Sequence, residues 1–351
     1  MKNTFISLAA LAGIATAQQL NIGIIDSAPL PATTAAPVAA SAQSDQPYNA
    51  QSEGSSISDS VQPTSAPQSP SKRDGTCAPQ PAGTAPRANP DTDVGFENYP
   101  LWSALANSQS PPFPYIEKFR NLNGSTQQNS YLTYYILNNY DVNQCAMYCN
   151  NNKLCSAFNI YVERDPSVDP GPACPNPPSV SNYKCALWGS SISRQTATNT
   201  GQYRQDFHVV IAGSNGYDKT FFQQAEQVSG FNAAQNISGQ AITKAQAYYL
   251  GSEFFAGPYD PTLCGYYATA QTSANRDYAK AHGQKTYQPA NCFNAYYVYR
   301  SDYAWGTYCS IYNQNVGASY AGSVDQTSGG FTYKVGSSWV YNAYPQDSGK
   351  L

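Results

Sequence analysis

Tyr140-Asp141-x3-Cys145-x3-Cys149-x5-Cys155-x2-Phe158-Asn159-x-Tyr161 organises this chain, because most of it returns later. After a Pro-rich excursion the first occurrence closes with Cys185-Ala186-Leu187-Trp188. The second reads Tyr259-Asp260-x3-Cys264, with Ala268 where the next cysteine is expected, then Cys292-Phe293-Asn294-x-Tyr296 and a closing Cys309-Ser310-Ile311-Tyr312. A looser echo follows each, Gly213-Ser214-x2-Tyr217 and Gly336-Ser337-x3-Tyr341. Internal repetition outranks other fold signals and points to two related units stapled by disulfides.

Local chemistry assigns elements to this pattern. Asp141 and Asp260 are good helix N-caps, and Pro261 stands at the first helical position, where its missing N–H costs nothing. Each occurrence therefore opens with a helix, and Cys145 and Cys149, four apart, share one face of it. Ala157–Val162 and Asn294–Tyr299 are aromatic and β-branched and read as strands, as do His208–Ala212 and Phe331–Val335. Helix followed by strands gives an α+β fold with a helix packed on an antiparallel sheet. The expected division is 74–214 for the first unit with an N-terminal arm and 215–351 for the second, degenerate one.

The N-terminal sequence has a different character. Lys2, the apolar Phe5–Ala12 and the small Ala15-Thr16-Ala17 form a secretory signal over 1–17, with cleavage after Ala17. From 18 to 71 Ala, Ser, Pro, Thr and Gln dominate, a composition that buries too little apolar surface to offset ordering, so 18–73 is expected to be a disordered propeptide. It ends at the dibasic pair Lys72-Arg73, which resembles a Kexin-type processing boundary and makes that protease an expected partner. Nine cysteines behind a signal imply an oxidising compartment and a disulfide framework with one thiol left over. Asn123 and Asn236 head Asn-x-Ser glycosylation sites. A net charge of −3 offers no basic footprint for nucleic acid or anionic membrane, and no stretch after the signal is long and apolar enough to span a bilayer. The expected location is extracellular or associated with a cell wall.

The helical Cys-x3-Cys, the cysteine near an aromatic strand and the final cysteine before an aromatic together resemble the PAN/apple family, closely over 131–217 and more loosely over 247–341. The whole chain resembles a family of secreted, Kexin-processed filamentous fungal proteins of poorly defined function. The resemblance implies that the first helical cysteine bonds the last and the second bonds the cysteine after the helix: Cys145 with Cys185, Cys149 with Cys155, and Cys264 with Cys309. On the same resemblance Cys292 lost a partner at the position of Ala268 and is the free thiol. Cys77 and Cys174 remain, and we pair them as a tether between the N-terminal arm and the Pro-rich loop 165–178, although sequence alone permits other connectivities. The family resemblance further implies non-catalytic binding of a polysaccharide or an extracellular protein.

Motifs for catalysis are sparse. His208 and His282 are the only histidines; the first reads as a strand residue and the second as a helix C-cap. No nucleophile elbow, phosphate loop, metal-ligand spacing or cofactor motif is present. Glu163 with Asp165, or Glu253 with Asp260, would supply the carboxylate pair of a hydrolase, but Glu163-Arg164-Asp165 reads more simply as a charged surface or a strand-end ion pair. The stronger signal is aromatic: Tyr occurs 29 times. Tyr297, Tyr299 and Trp305 lie off the shared Phe-Asn-x-Tyr pattern and are the expected exposed ligand-binding subset. Other readings are a wall component cross-linked through Tyr and Cys292, and a propeptide that is itself the active product.

Overall fold

A computed structural model of the chain describes residues 19–31, 33–37, 48, 75–220 and 226–351. Ala17, Lys72 and Arg73 lie outside them, as does the expected signal over 1–17. The fold is mixed α and β, with antiparallel sheets and four disulfides. Among the described residues no helix is long and apolar enough to cross a membrane.

The helices are α1 (Ile22–Ser27), α2 (Asp93–Glu97), α3 (Pro100–Ser108), α4 (Val142–Asn151) and α5 (Pro261–Ala281). The first sheet contains β1 (Tyr115–Leu122), β2 (Tyr131–Leu137), β3 (Ala157–Pro166), β4 (Ser179–Trp188), β5 (Gly201–Arg204) and β6 (Phe207–Lys219). It is ordered β1-β6-β3-β4-β2, with β5 also on β6. A two-stranded ribbon joins β8 (Ala241–Ile242) to β12 (Ala321–Gly322) once β7 (Gln235–Asn236) has passed along the second sheet. The other strands of that sheet are β9 (Tyr249–Ala256), β10 (Cys292–Arg300), β11 (Tyr303–Tyr312), β13 (Gln326–Ser328) and β14 (Phe331–Asn342). Its order is β13-β14-β10-β11-β9, with β7 also on β14, so the central run β14-β10-β11-β9 parallels β6-β3-β4-β2.

Side-chain alternation divides each sheet into two faces. Phe158, Ile160 and Val162 face α4, and Phe293, Ala295 and Tyr297 face α5. Tyr161 and Ile211 occupy the opposite face of the first sheet, and Tyr296 and Val298 that of the second. Asp141 caps α4 by accepting from the Asn143 and Gln144 amides, and Asp260 caps α5 by accepting from the Thr262 amide. Asn159 and Asn294 perform one task in the two sheets. Each accepts a backbone amide from outside its sheet (Thr126, Ile242) and donates to a serine hydroxyl and a backbone carbonyl of the last strand (Ser214 and Asn215; Ser338 and Trp339). The echo after each pattern is thus Ser214-x2-Tyr217 against Ser338-x2-Tyr341, one residue from the alignment by Ser337.

Three expectations change. Strand β6 runs through Ser214 to Lys219, so a division at 214 would cut a strand. The arm after residue 74 forms α2 and α3, whose Phe96 and Trp102 are buried against the first sheet.

Residues 19–31 and 33–37 are also not uniformly disordered. The local island Leu20–Ile25 is apolar, although the average over 18–71 hides it, and it forms α1. Leu20 and Ile25 are buried on the outer face of the second sheet beside Phe254, Tyr296 and Tyr308. The Asn21 amide donates to the Tyr308 hydroxyl at 3.1 Å, Gln326 to the Leu20 carbonyl at 3.0 Å, and the Tyr333 hydroxyl to Asp26 at 3.1 Å. Farther on, Ala36 is buried against Tyr134, Tyr161 and Trp188 on the outer face of the first sheet.

The last change concerns Cys292. The disulfides are Cys77–Cys174, Cys145–Cys185, Cys149–Cys155 and Cys264–Cys309, and Cys292 is free and buried. Ala268, however, is not placed to pair with it. Cys292 precedes Asn294 by two positions, so both point to the face away from α5, whereas Ala268 lies on the α5 side.

Candidate functional site

The end of α4, the turn after β4 and the end of β6 meet the second sheet across a cleft of about 440 Å³. The two halves are close here: the Tyr259 amide lies 3.5 Å from the Gly189 carbonyl, and a Cβ on Gly189 would stand 2.3 Å from Pro258. One wall carries Ser190, Asp218 and Lys219, Tyr297 also lines the cleft, and the other wall carries Tyr299 and Trp339. Gly336 permits this wall, since a Cβ there would meet the Tyr299 ring at 2.6 Å.

Of the three aromatic candidates, Tyr297 is only 1 % exposed and belongs to the core, which corrects its assignment to the exposed set. Alternation directs it toward α5, where its hydroxyl donates to the Gly257 carbonyl at 2.8 Å and its ring meets Tyr259 and Tyr299 edge-on. It is the floor of the cleft rather than a free platform. Tyr299 is half-buried and lines the cleft. Trp305 is half-buried elsewhere, with the Arg300 guanidinium 4.8 Å from its ring centre, so the structure does not unite the three. Trp339, half-buried and also lining the cleft, was missed. Its signal was its place inside the second echo, two residues before Tyr341.

The charged groups of the cleft are constrained. Burial raises the Asp218 carboxyl against the Ser191 hydroxyl and the Ile192 amide, which both donate to it. Burial lowers the Lys219 ammonium to about 8, while its Nζ donates to the Cys149 and Cys155 carbonyls at 3.1 and 2.7 Å. Glu226 is raised by burial and by the nearby Asp260. The cleft therefore combines two aromatic faces with acids and an amine able to donate and accept hydrogen bonds.

Other candidates take structural roles. His208 stacks on Tyr203 and lies 2.8 Å from Asp93, and His282 ends α5 with its ring on Tyr278. Asp260 is a helix cap, and Glu253 accepts its neighbour's amide, from Phe254. Glu163 and Asp165 are not a charged surface: both are 0 % exposed and stand beside the equally buried Lys184. The overlooked signal was alternation, because Glu163 with Asp165 on β3 and Asn182 with Lys184 on β4 each occupy every second position.

Asn123 and Asn236 are exposed, and the Ser238 of the second sequon lines the cleft. Cys292 is fully buried and its thiol is pushed up to about 12 by that burial, so it is not a thiolate for cross-linking. Comparison with family models, curated proteins and solved structures finds no match to this chain.

Proposed function

We propose that this chain is a secreted, non-catalytic binding protein of two PAN/apple-like units, and that it holds a carbohydrate in the cleft between its sheets. The cleft itself carries this reading. Its volume of about 440 Å³ suits a small ligand, and the half-buried faces of Tyr299 and Trp339 suit the apolar face of a sugar ring. Asp218, Glu226 and Lys219 offer partners for ring hydroxyls. The four disulfides support passage through an oxidising secretory route, and the exposed Asn123 and Asn236 suit glycan attachment there.

The test is co-sedimentation of the full secreted chain with insoluble chitin, β-glucan and cellulose, with the supernatant assayed for released sugar. Retention on one of them without release is expected, and Trp339→Ala and Tyr299→Ala should each weaken it about tenfold, a loss of about 1.4 kcal/mol. Exposed Tyr203→Ala serves as control. Equal retention of all three variants would refute the cleft as the site, and sugar release would refute the non-catalytic reading.

A further inference from the structure

The carboxylates Glu163 and Asp165 and the amine Lys184 form a cluster that the cleft does not use. Glu163 and Asp165 on β3, and Asn182 and Lys184 on β4, are all 0 % exposed. Alternation places them on the face away from α4. Lys184 Nζ contacts Glu163 Oε1 and lies 3.9 Å from Asp165 Oδ2. Asn182 Nδ2 donates to Asp165 Oδ2 at 2.8 Å, which fixes that carboxyl beside the pair. The Tyr134 ring centre is 5.2 Å from Nζ. The Pro37 carbonyl accepts from Nζ at 3.0 Å, so the N-terminal segment helps to close the cluster to water. Glu163 Oε2 is buried without a hydrogen-bond partner.

A plain ion pair is a poor account of this arrangement. Charges without water are costly, and two carboxylates against one ammonium leave a surplus negative charge unless one carboxyl keeps its proton. Burial and the neighbouring Asp165 raise Glu163 well above the ordinary carboxylate range, which favours that protonated form. Although burial works to lower it, the two carboxylates hold the Lys184 ammonium above its ordinary range, so the ion pair is the resting form. Transfer of a proton from the ammonium to a carboxylate gives the reactive one, a neutral amine against a neutral acid. Neutral partners held in contact react as if at very high concentration.

We propose that this cluster is a self-cross-linking site in which Lys184 Nζ and Glu163 Cδ join in an isopeptide amide that ties β3 to β4. Nζ attacks Cδ and the carbon–nitrogen bond forms. A proton leaves the nitrogen, is relayed by Asp165 and is delivered to the departing hydroxyl of Glu163. The carbon–oxygen bond breaks and one water leaves, so the step needs no oxidant and no co-reactant. The product carries no charge from either partner, and exclusion of water protects it from hydrolysis. Asp165 is the proton carrier and Asn182 the residue that positions it.

The test is intact mass spectrometry of the full secreted chain, after removal of the signal and any N-glycans and after accounting for the hydrogens lost to four disulfides. We expect the protein to be lighter than its sequence by the mass of one water. Tryptic digestion should fail to cut after Lys184 and should release one branched peptide carrying Lys184 and Glu163. Lys184→Met and Asp165→Ala should each restore the full mass. A wild-type protein of full sequence mass, or a branch to any acid other than Glu163, overturns the proposal, and this holds whether or not the variants fold.

Discussion

Replacing Asn294 by alanine would strip three hydrogen bonds from the centre of the second sheet. Its side chain accepts from the Ile242 amide at 2.9 Å and donates to the Ser338 hydroxyl and the Trp339 carbonyl, each at 3.0 Å. The Ser338 hydroxyl loses one donor but keeps its own proton to donate elsewhere, so most of the cost falls on the two backbone groups. At ~1–3 kcal/mol for each buried group left unsatisfied, the expected loss is ~2–6 kcal/mol. Urea unfolding should show it as a lower midpoint with an unchanged slope. Native-state hydrogen exchange gives a site-specific reading: even the lower bound corresponds to about 30-fold faster opening at the Ile242 amide. Asn159→Ala should behave alike, because it breaks the matching bonds to Thr126, Ser214 and Asn215. A loss below about 1 kcal/mol with unaltered Ile242 exchange would refute the argument that this shared asparagine holds the last strand to the sheet. Because the Trp339 carbonyl is one of its partners, the same variant should also weaken retention on the carbohydrate.

Two other outcomes are expected. Cutting the full chain at Lys72-Arg73 should leave the 18–73 fragment bound through Leu20, Ile25 and Ala36, co-eluting with the body on size exclusion; Ile25→Asp should release it, and prompt release of the wild-type fragment would contradict the docking. For Asp91, partial burial pushes the carboxyl up, but donation from Ser179, Arg87 and Arg164 brings it down to about 2. Its contribution to stability is therefore present above the value of a free aspartate, ~3.9, and lost as pH falls from there through about 2. Asp91→Asn should cost ~1–2 kcal/mol at pH 6, after allowance for solvent screening, and nothing in strong acid. An unchanged difference across that range would contradict it.

Much of the local structure was legible because it depends on neighbours a few residues apart. The two asparagine-containing strands, the caps at Asp141 and Asp260 and the common face of Cys145 and Cys149 follow from spacing and capping chemistry. Alternation also carried information that was passed over: Cys292 shares its face with Asn294, and Lys184 answers Glu163 across two paired strands. Composition misled where it was averaged, since the apolar island Leu20–Ile25 is diluted by the Ala, Ser and Pro around it.

The sequence by itself determined the disposition of helices and central strands, the recurring pattern and an odd number of cysteines, because these rest on period, capping and count. The cysteine pairing was implied by a resemblance, and only the fold shows which sulfurs meet. Tertiary structure alone decided that Tyr297 is floor while Tyr299 and Trp339 are wall, since burial depends on what the other sheet brings against a strand. It likewise decided that Leu20, Ile25 and Ala36 pack on the outer faces of the two sheets, and that two acids and a lysine outside the cleft share one dry site. Those outcomes depend on which surfaces meet across long separations in the chain, and no local period encodes that.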